Sequence, residues 1–424
     1  MPAADTPSSY RVLDAHDVPA FIGSLPEIQT RLGGRPESWR VREVGDGNLN
    51  LVFIVEGAEG SVCVKQALPY VRVAGASWPM TLERAFFEAS YYSAVASHVG
   101  GLIPRIYHYD PELYCTVMEC LSPHIILRRG LIAGRRYPNV ARDVGEYIAR
   151  AGFFTSDLAR PFEHKMDGIG LFSRNKELLR ITVDLVFCDP YRANERNRHT
   201  SPHLDGIVAD LRRDGRLKVA AAHFGQKFLN GAQALVHGDL HSGSVMVTEG
   251  DTRVIDPEFA FYGPIGFDLG AFLGNLLLSW YSQPGHATAQ DDRVAYQHWI
   301  LEQVDTFWVS FRRRFLALWA ENGHGDVLPR SMFSGPEDAS ALESARNVFL
   351  DALFADTLGF GACKMIRRIV GFAHVSDFDS IKDVAVRADC ETGALTLART
   401  LLTHPAQFHS IQDVIDAVPR MARY

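Results

Sequence analysis

The sequence predicts an α+β fold in two lobes, a small antiparallel sheet with one main helix followed by a larger, mostly helical portion. Three observations predict it. Apolar residues recur with period two between Trp39 and Lys65, residues 79–98 switch to helical spacing before two further short strands, and beyond residue 122 most segments keep helical periodicity. At 424 residues the chain also exceeds one average domain. The expected division is 1–118 for the first lobe, 119–122 for a linker and 123–424 for the second lobe.

Residues 11–33 carry Val18, Phe21, Ile22, Leu25, Ile28 and Leu32 at roughly helical spacing and stop at Gly33-Gly34. A three-strand meander follows. Its strands run through Trp39 to Val44, Leu51 to Val55 and Val62 to Lys65, joined by the turn Gly45-Asp46-Gly47-Asn48 and by a second turn from Gly57 to Gly60. A helix over 79–98 begins at Pro79 and carries Leu82, Phe86, Ala89, Tyr92 and Val95. Strands over 106–109 and 114–119 complete a β-β-β-α-β-β order. Helices are expected over 139–158, 176–186, 204–230, 268–281, 291–322, 338–359, 392–403 and 410–421, some separated by breaks such as Pro284-Gly285.

Composition excludes several classes. A net charge of −7 without a long basic run gives no footprint for nucleic acid. The longest apolar stretch, Phe259 to Tyr281, is interrupted by Pro264, Asp268 and several glycines and reads as a buried loop and helix, so no membrane span is expected. Six scattered cysteines with no C-x-x-C pair fit a reducing compartment, and Met1 to Tyr10 lacks the pattern of a secretory signal, so a soluble cytoplasmic protein is expected. The sequence fixes no oligomeric state and leaves a homodimer open.

The most informative stretch is Leu235-Val236-His237-Gly238-Asp239-Leu240-His241-Ser242-Gly243-Ser244, followed by Val254-Ile255-Asp256-Pro257-Glu258-Phe259. One apolar run delivers a carboxylate into a Gly-flanked loop, and a second run delivers two more. Short strands joined by a tight turn at Glu249-Gly250-Asp251 would set Asp239 beside Asp256. Phosphoryl transfer needs that pairing, because one carboxylate orients the attacking hydroxyl while others hold the magnesium that neutralises the phosphates. His237 and His241 share a face only on a helix, and the loop reading argues against metal ligation by them. Asp256 and Glu258, two apart on an extended strand, would point the same way toward one cation.

The partner half of such a site lies in the first lobe. Lys65 ends an apolar strand behind a hairpin turn, where a cation can meet the α and β phosphates. The Gly45–Asn50 turn can pass backbone amides over phosphates, with Asn48 adding a side-chain donor. Glu88 and Glu83, on different faces of one helix, are the candidates to hold Lys65, with Glu88 preferred. The extended backbone at Glu119-Cys120-Leu121 can hydrogen-bond an adenine edge.

Together these segments resemble the protein-kinase-like small-molecule kinases, the group with aminoglycoside, choline and homoserine kinases, and within it the methylthioribose kinase family. Besides the two motifs above and Gly45–Phe53, the resemblance is carried by Ser77-Trp78-Pro79-Met80-Thr81-Leu82-Glu83-Arg84 and Lys364-Met365-Ile366-Arg367-Arg368-Ile369-Val370-Gly371. It implies ATP- and Mg²⁺-dependent phosphorylation of the anomeric hydroxyl of S-methyl-5-thioribose in methionine salvage. Asp239 is then the catalytic carboxylate and contacts the sugar. Asp256 and Glu258 hold the metal, while Asn48, Lys65, residues 119–121 and the Asp256-Pro257-Glu258 segment take ATP. Arg367 and Arg368 face the sugar and the transferring phosphate, and Trp78 is the candidate for the methylthio group. Where the broader fold has an asparagine as second metal ligand, this chain has Ser244. One alternative is a kinase of the same fold with an aminoglycoside, choline or homoserine acceptor, and the alternative from another class is a catalytically inactive nucleotide-binding module, against which the three carboxylates and Lys65 argue.

Overall fold

The computed structural model describes residues 7–45, 49–71 and 75–422. In the first part of the chain five strands form one antiparallel sheet, in the spatial order Arg40–Glu43, Asn50–Glu56, Ser61–Ala67, Cys115–Glu119, Ile106–Asp110. The meander and the later pair of strands are therefore the ones the period-two pattern predicts. Burial alternates along Ser61–Ala67: Val62 and Val64 are fully buried, and Lys65 points to the opposite face. The buried face packs on two short helices, Asp17–Gly23 and Pro26–Leu32, through Phe53, Val55, Val62, Val64, Val18, Ile22, Ile28 and Leu32.

Several expected boundaries move, each for a local reason. The single helix expected over 11–33 is two, because Leu25 precedes Pro26 and is extended. The helix expected from Pro79 starts at Arg84, since Gly75–Pro79 pairs with Tyr70–Val71 as a hairpin. The stretch 204–230 splits at Asp214, whose carboxylate accepts from the amides of Arg216 and Leu217 and caps a new helix, Gly215–Asn230. The helix expected to end at 359 runs on to Val370, and the one over 392–403 starts at Val384. Helices Leu127–Ile132 and Phe162–Phe172 and the strand Phe261–Gly263 were not expected at all.

The helix Arg84–Val99 lies next to the sheet in sequence, yet Phe87, Tyr91, Tyr92 and Val95 belong to the large helical core, not to the sheet's own. At the centre of that core, every residue of Ile265–Ser282 is buried, which suits a helix apolar on all sides. It crosses Asp338–Val370 almost backbone to backbone. A Cβ on Gly270 would lie 2.5 Å from the Gly361 nitrogen, so glycine is required there. Among the described residues no helix is long and apolar enough to cross a membrane, and all six cysteines are free.

Candidate active site

The strand Ala234–Val236 pairs with Phe261–Gly263 and hands the chain to the loop 237–244. Asp268, from the central helix, fixes that loop by accepting from the amides of His237 (2.6 Å) and Gly238 (3.0 Å). Gly238 has φ +84°, and a Cβ there would meet the Phe259 carbonyl oxygen at 2.1 Å, so the turn admits only glycine. His237 is structural. Its Nε2 donates to the Ile255 carbonyl (2.9 Å) and its Nδ1 accepts from the Asp239 amide (3.3 Å), which ties the loop to the segment before Asp256. The Ser244 hydroxyl is buried and donates to the Asp239 carbonyl (3.0 Å), so it braces the loop.

Asp239 emerges from this frame with both carboxylate oxygens engaged. Lys364 Nζ donates to Oδ1 at 2.7 Å, and His241 Nε2 lies 3.3 Å from Oδ2. Burial alone would raise the Asp239 carboxyl, but the Lys364 ammonium, and after it His241, hold it well below the usual carboxylate range. Burial pushes the His241 imidazole down to about 4, and its Nδ1 accepts from the Gly243 amide (2.9 Å), so a neutral ring presents Nε2–H to Asp239.

Arg367 and Arg368 follow Lys364 on the same helix. Arg368 is 7% exposed and donates through Nη1 to the Ala373 carbonyl (3.1 Å). Arg367 Nε and Nη1 and Arg368 Nε are buried without a protein partner. Unpaired buried guanidinium nitrogens are costly, and an anionic oxygen is the partner that removes the cost. Burial, and for Arg368 also the neighbouring Arg367, disfavours their charged forms. Trp78 packs at a tilt against Phe372 (centroids 5.2 Å apart, planes 33° apart), two residues past the end of this helix, and Arg198 covers that ring at 5.9 Å.

Across from this basic cluster stands an acidic one. Lys65 Nζ lies 2.9 Å from Glu88 Oε1 and 2.8 Å from Oε2, and it also contacts Asp256 Oδ1. Glu83, the other candidate, pairs with Arg174 at the surface instead. Arg84, fully buried, contacts Glu258 Oε2 through Nε (3.0 Å) and donates through Nη2 to the Leu49 carbonyl (2.5 Å). Asn50 Nδ2 donates to the same Glu258 oxygen (3.4 Å), and the Tyr92 hydroxyl accepts from the Asp256 amide (3.0 Å).

The expected extended geometry of Asp256-Pro257-Glu258 is not found. Asp256 sits in the left-handed region at φ +71°, next to a proline that bars the helical basin, and the segment is a loop beyond the strand Thr252–Val254. The two carboxylates are still close enough to feel each other. Burial first, and then the Asp256 charge, raise Glu258 above the usual range. An oxygen-only pair in mutual repulsion, with the Asp256 side chain 42% exposed, fits a hard divalent cation such as Mg²⁺.

At the linker, the Glu119 side chain is occupied by Arg253 (3.1 Å) and by the Arg105 amide (3.0 Å), and the Glu119 amide donates to the Arg105 carbonyl (2.8 Å). Asn48 lies outside the described residues. Sequence reasoning passed over Lys364, Arg84 and Asp268. A signal existed for two of them: Lys364 is a lone charge in the apolar run Gly359–Ile366, and Arg84 stands four residues before Glu88, on its face of the helix.

Residues 40–307 match the Phosphotransferase enzyme family. Over nearly its whole length the chain is similar to Methylthioribose kinase 1 of Oryza sativa subsp. japonica, 47% identical over 412 residues that cover 96% of this chain and 94% of that protein. It is 44% identical over 412 residues to Methylthioribose kinase of Escherichia coli O45:K1, covering 97% and 98%. A third relative, Methylthioribose kinase of Klebsiella pneumoniae strain 342, is 41% identical over 413 residues, covering 97% and 99%.

Proposed function

Because the chain belongs to the Phosphotransferase enzyme family and, within it, to the methylthioribose kinases, we propose that it transfers the γ-phosphoryl group of ATP to the anomeric hydroxyl of S-methyl-5-thioribose, giving the 1-phosphate of methionine salvage. The observation that carries this reading at the level of residues is the Asp239 carboxylate set between Lys364 and His241, beside arginines with buried nitrogens left to pair.

Asp239 orients the acceptor hydroxyl and takes its proton. A carboxyl held well below its usual range is a weak base, which suits a loose transition state in which the hydroxyl loses its proton late. Arg367 and Arg368 offer planar donors to the sugar and to the oxygens on which charge spreads. Lys65, held by Glu88, contacts the α and β phosphates, and Asn48, main-chain groups of 119–121 and the Asp256-Pro257-Glu258 segment complete the ATP site. Mg²⁺, which Asp256 and Glu258 would hold, supplies the charge that neutralises the phosphate oxygens. Trp78, packed on Phe372, offers an aromatic wall for the methylthio group.

A choline or aminoglycoside acceptor is disfavoured by the same cluster, since a cationic substrate calls for carboxylates or an aromatic cage where this chain has Lys364, Arg367 and Arg368. ADP release with Mg²⁺, ATP and a panel of methylthioribose, ribose, choline, homoserine and kanamycin tests the reading. Methylthioribose should give the highest kcat/KM, and faster turnover of any other acceptor would overturn the assignment.

A further inference from the structure

Lys364 has no part in the site as read from sequence, yet it makes the shortest contact to the carboxylate at its centre. It is 3% exposed, its Nζ donates to Asp239 Oδ1 at 2.7 Å, and the same ammonium lies 4.6 Å from the centre of the Phe267 ring. Lysines are almost never this buried unless paired, and the pair here is the residue assigned to meet the acceptor hydroxyl. Both Asp239 oxygens are thereby fixed from opposite sides, Oδ1 by Lys364 and Oδ2 by the His241 ring.

We propose that Lys364 is a positioning residue for phosphoryl transfer, whose ammonium holds the Asp239 carboxylate ionised and in the one orientation that receives the acceptor hydroxyl. This rests on the reading of Asp239 given above. The titratable and charged groups facing the pair come from every element around it. Arg367 and Arg368 lie on the same helix, His241 on the loop, and Asp268 next to Phe267 on the central helix, while Arg128, on the helix Leu127–Ile132, acts on His241, Arg367 and Arg368. Asp377 faces Arg128 (3.1 Å) and also acts on Arg368, so it damps those two cations more than Lys364.

Asp239 is thus pushed up by burial and pulled down chiefly by Lys364, and removing that one charge lets its carboxyl rise. Lysine itself is disfavoured as a cation there, first by burial, with Arg367 and Arg368 opposing it and Asp239 supporting it. Its neighbours are arginines, which do not titrate in the working range. Lys364 is therefore the member of the cluster whose charge can be removed without altering the planar donors beside it.

The test is the pH profile of kcat/KM for methylthioribose in Lys364→Met and Lys364→Arg, alongside thermal melting and the KM for ATP. In Lys364→Met the acid limb should move up by roughly one to three pH units, as expected for loss of an opposite charge within hydrogen-bond distance. Its plateau should fall by about 10-fold or more, with the KM for ATP within about twofold of wild type. Lys364→Arg keeps the charge and should keep the acid limb in place.

A folded Lys364→Met enzyme with an unmoved acid limb overturns the proposal, as does a Lys364→Arg limb displaced as far as that of a neutral side chain. If the methionine variant melts below assay temperature, Lys364→Gln, which is also neutral, takes its place and is combined with Asp239→Asn. A residue that acts through Asp239 adds no further loss once Asp239 is neutral, whereas fully additive losses overturn the proposal. Near-wild-type turnover of Asp239→Asn alone would instead sink the reading of Asp239, which keeps the two failures apart.

Discussion

The two halves of the site are built from the same residue types in opposite proportion. On the proposed nucleotide side two cations, Lys65 and Arg84, face three carboxylates, Glu88, Asp256 and Glu258. On the proposed sugar side the cations Lys364, Arg367 and Arg368 act on the Asp239 carboxylate, with Arg128, Asp268 and Asp377 further out. One half has negative charge to spare, with the Asp256 charge helping to raise Glu258, while the other has guanidinium nitrogens to spare. In the proposed reading a divalent cation would complete the first half and a phosphoryl group the second. Under the proposed reading, the imbalance tells which kind of ligand each half would accept.

The comparison can be broken at its strongest point first. Asp239→Asn should lose turnover on the order of 10²-fold or more while still binding ATP by calorimetry, because a positioned carboxylate contributes at least that much. On the acidic side, Asp256→Ala and Glu258→Ala should each weaken the apparent Mg²⁺ affinity by roughly 10-fold or more and lower turnover. They should differ in stability. Glu258→Ala strands the fully buried Arg84 and should cost about 3–5 kcal/mol by urea unfolding, while the half-exposed Asp256 should cost clearly less. A Glu258→Ala enzyme that titrates with Mg²⁺ like wild type would remove Glu258 from the metal site.

Smaller effects sharpen the basic side. Arg367→Lys and Arg368→Lys keep charge but not the planar fork, and each should raise the sugar KM or lower turnover by ~10-fold, or ~1.4 kcal/mol, with the KM for ATP less affected. Values indistinguishable from wild type would detach the pair from the sugar. The smallest change is expected at Glu83, whose ion pair with Arg174 is largely exposed, so Glu83→Ala should alter stability by less than about 1 kcal/mol and leave turnover unchanged. Glu88→Ala, which leaves Lys65 to Asp256 alone, should not be silent in the same assay.

Much of this contrast was legible in the sequence wherever a local pattern determines the outcome. Period-two runs located the five-stranded sheet, and helical spacing separated Glu88 from Glu83 before either had a partner. The Gly-flanked loop of Asp239 was legible because Gly238 meets a conformation that other residues rarely adopt. What escaped notice was set by distant contacts. Asp256 leaves the extended form in a loop where Lys65 and Tyr92, far away in sequence, bind its carboxylate and its amide. Arg84 looks like any charged residue in a first helical turn until Glu258, the Leu49 carbonyl and the Thr81 carbonyl close around it. The helix Phe162–Phe172 was hidden by its own Gly168 and Gly170, and the strand Phe261–Gly263 is too short for a period to register.

Arg84, Glu88 and Tyr92 stand four residues apart on one helix, and each grips a different part of the acidic half: Glu258, Lys65 and the Asp256 amide. Four residues advance a helix by little more than a turn, so the three form a single stripe, and a roll of the helix by one residue, about 100°, would turn all of them away together. The same helix is anchored by Phe87, Tyr91 and Val95 in the large core, while the strand bearing Lys65 is anchored in the small one. The acidic half therefore behaves like a key with three teeth cut in one blade. The lysine clamp, the loop backbone and the second carboxylate thus all depend on the angular setting of one helix.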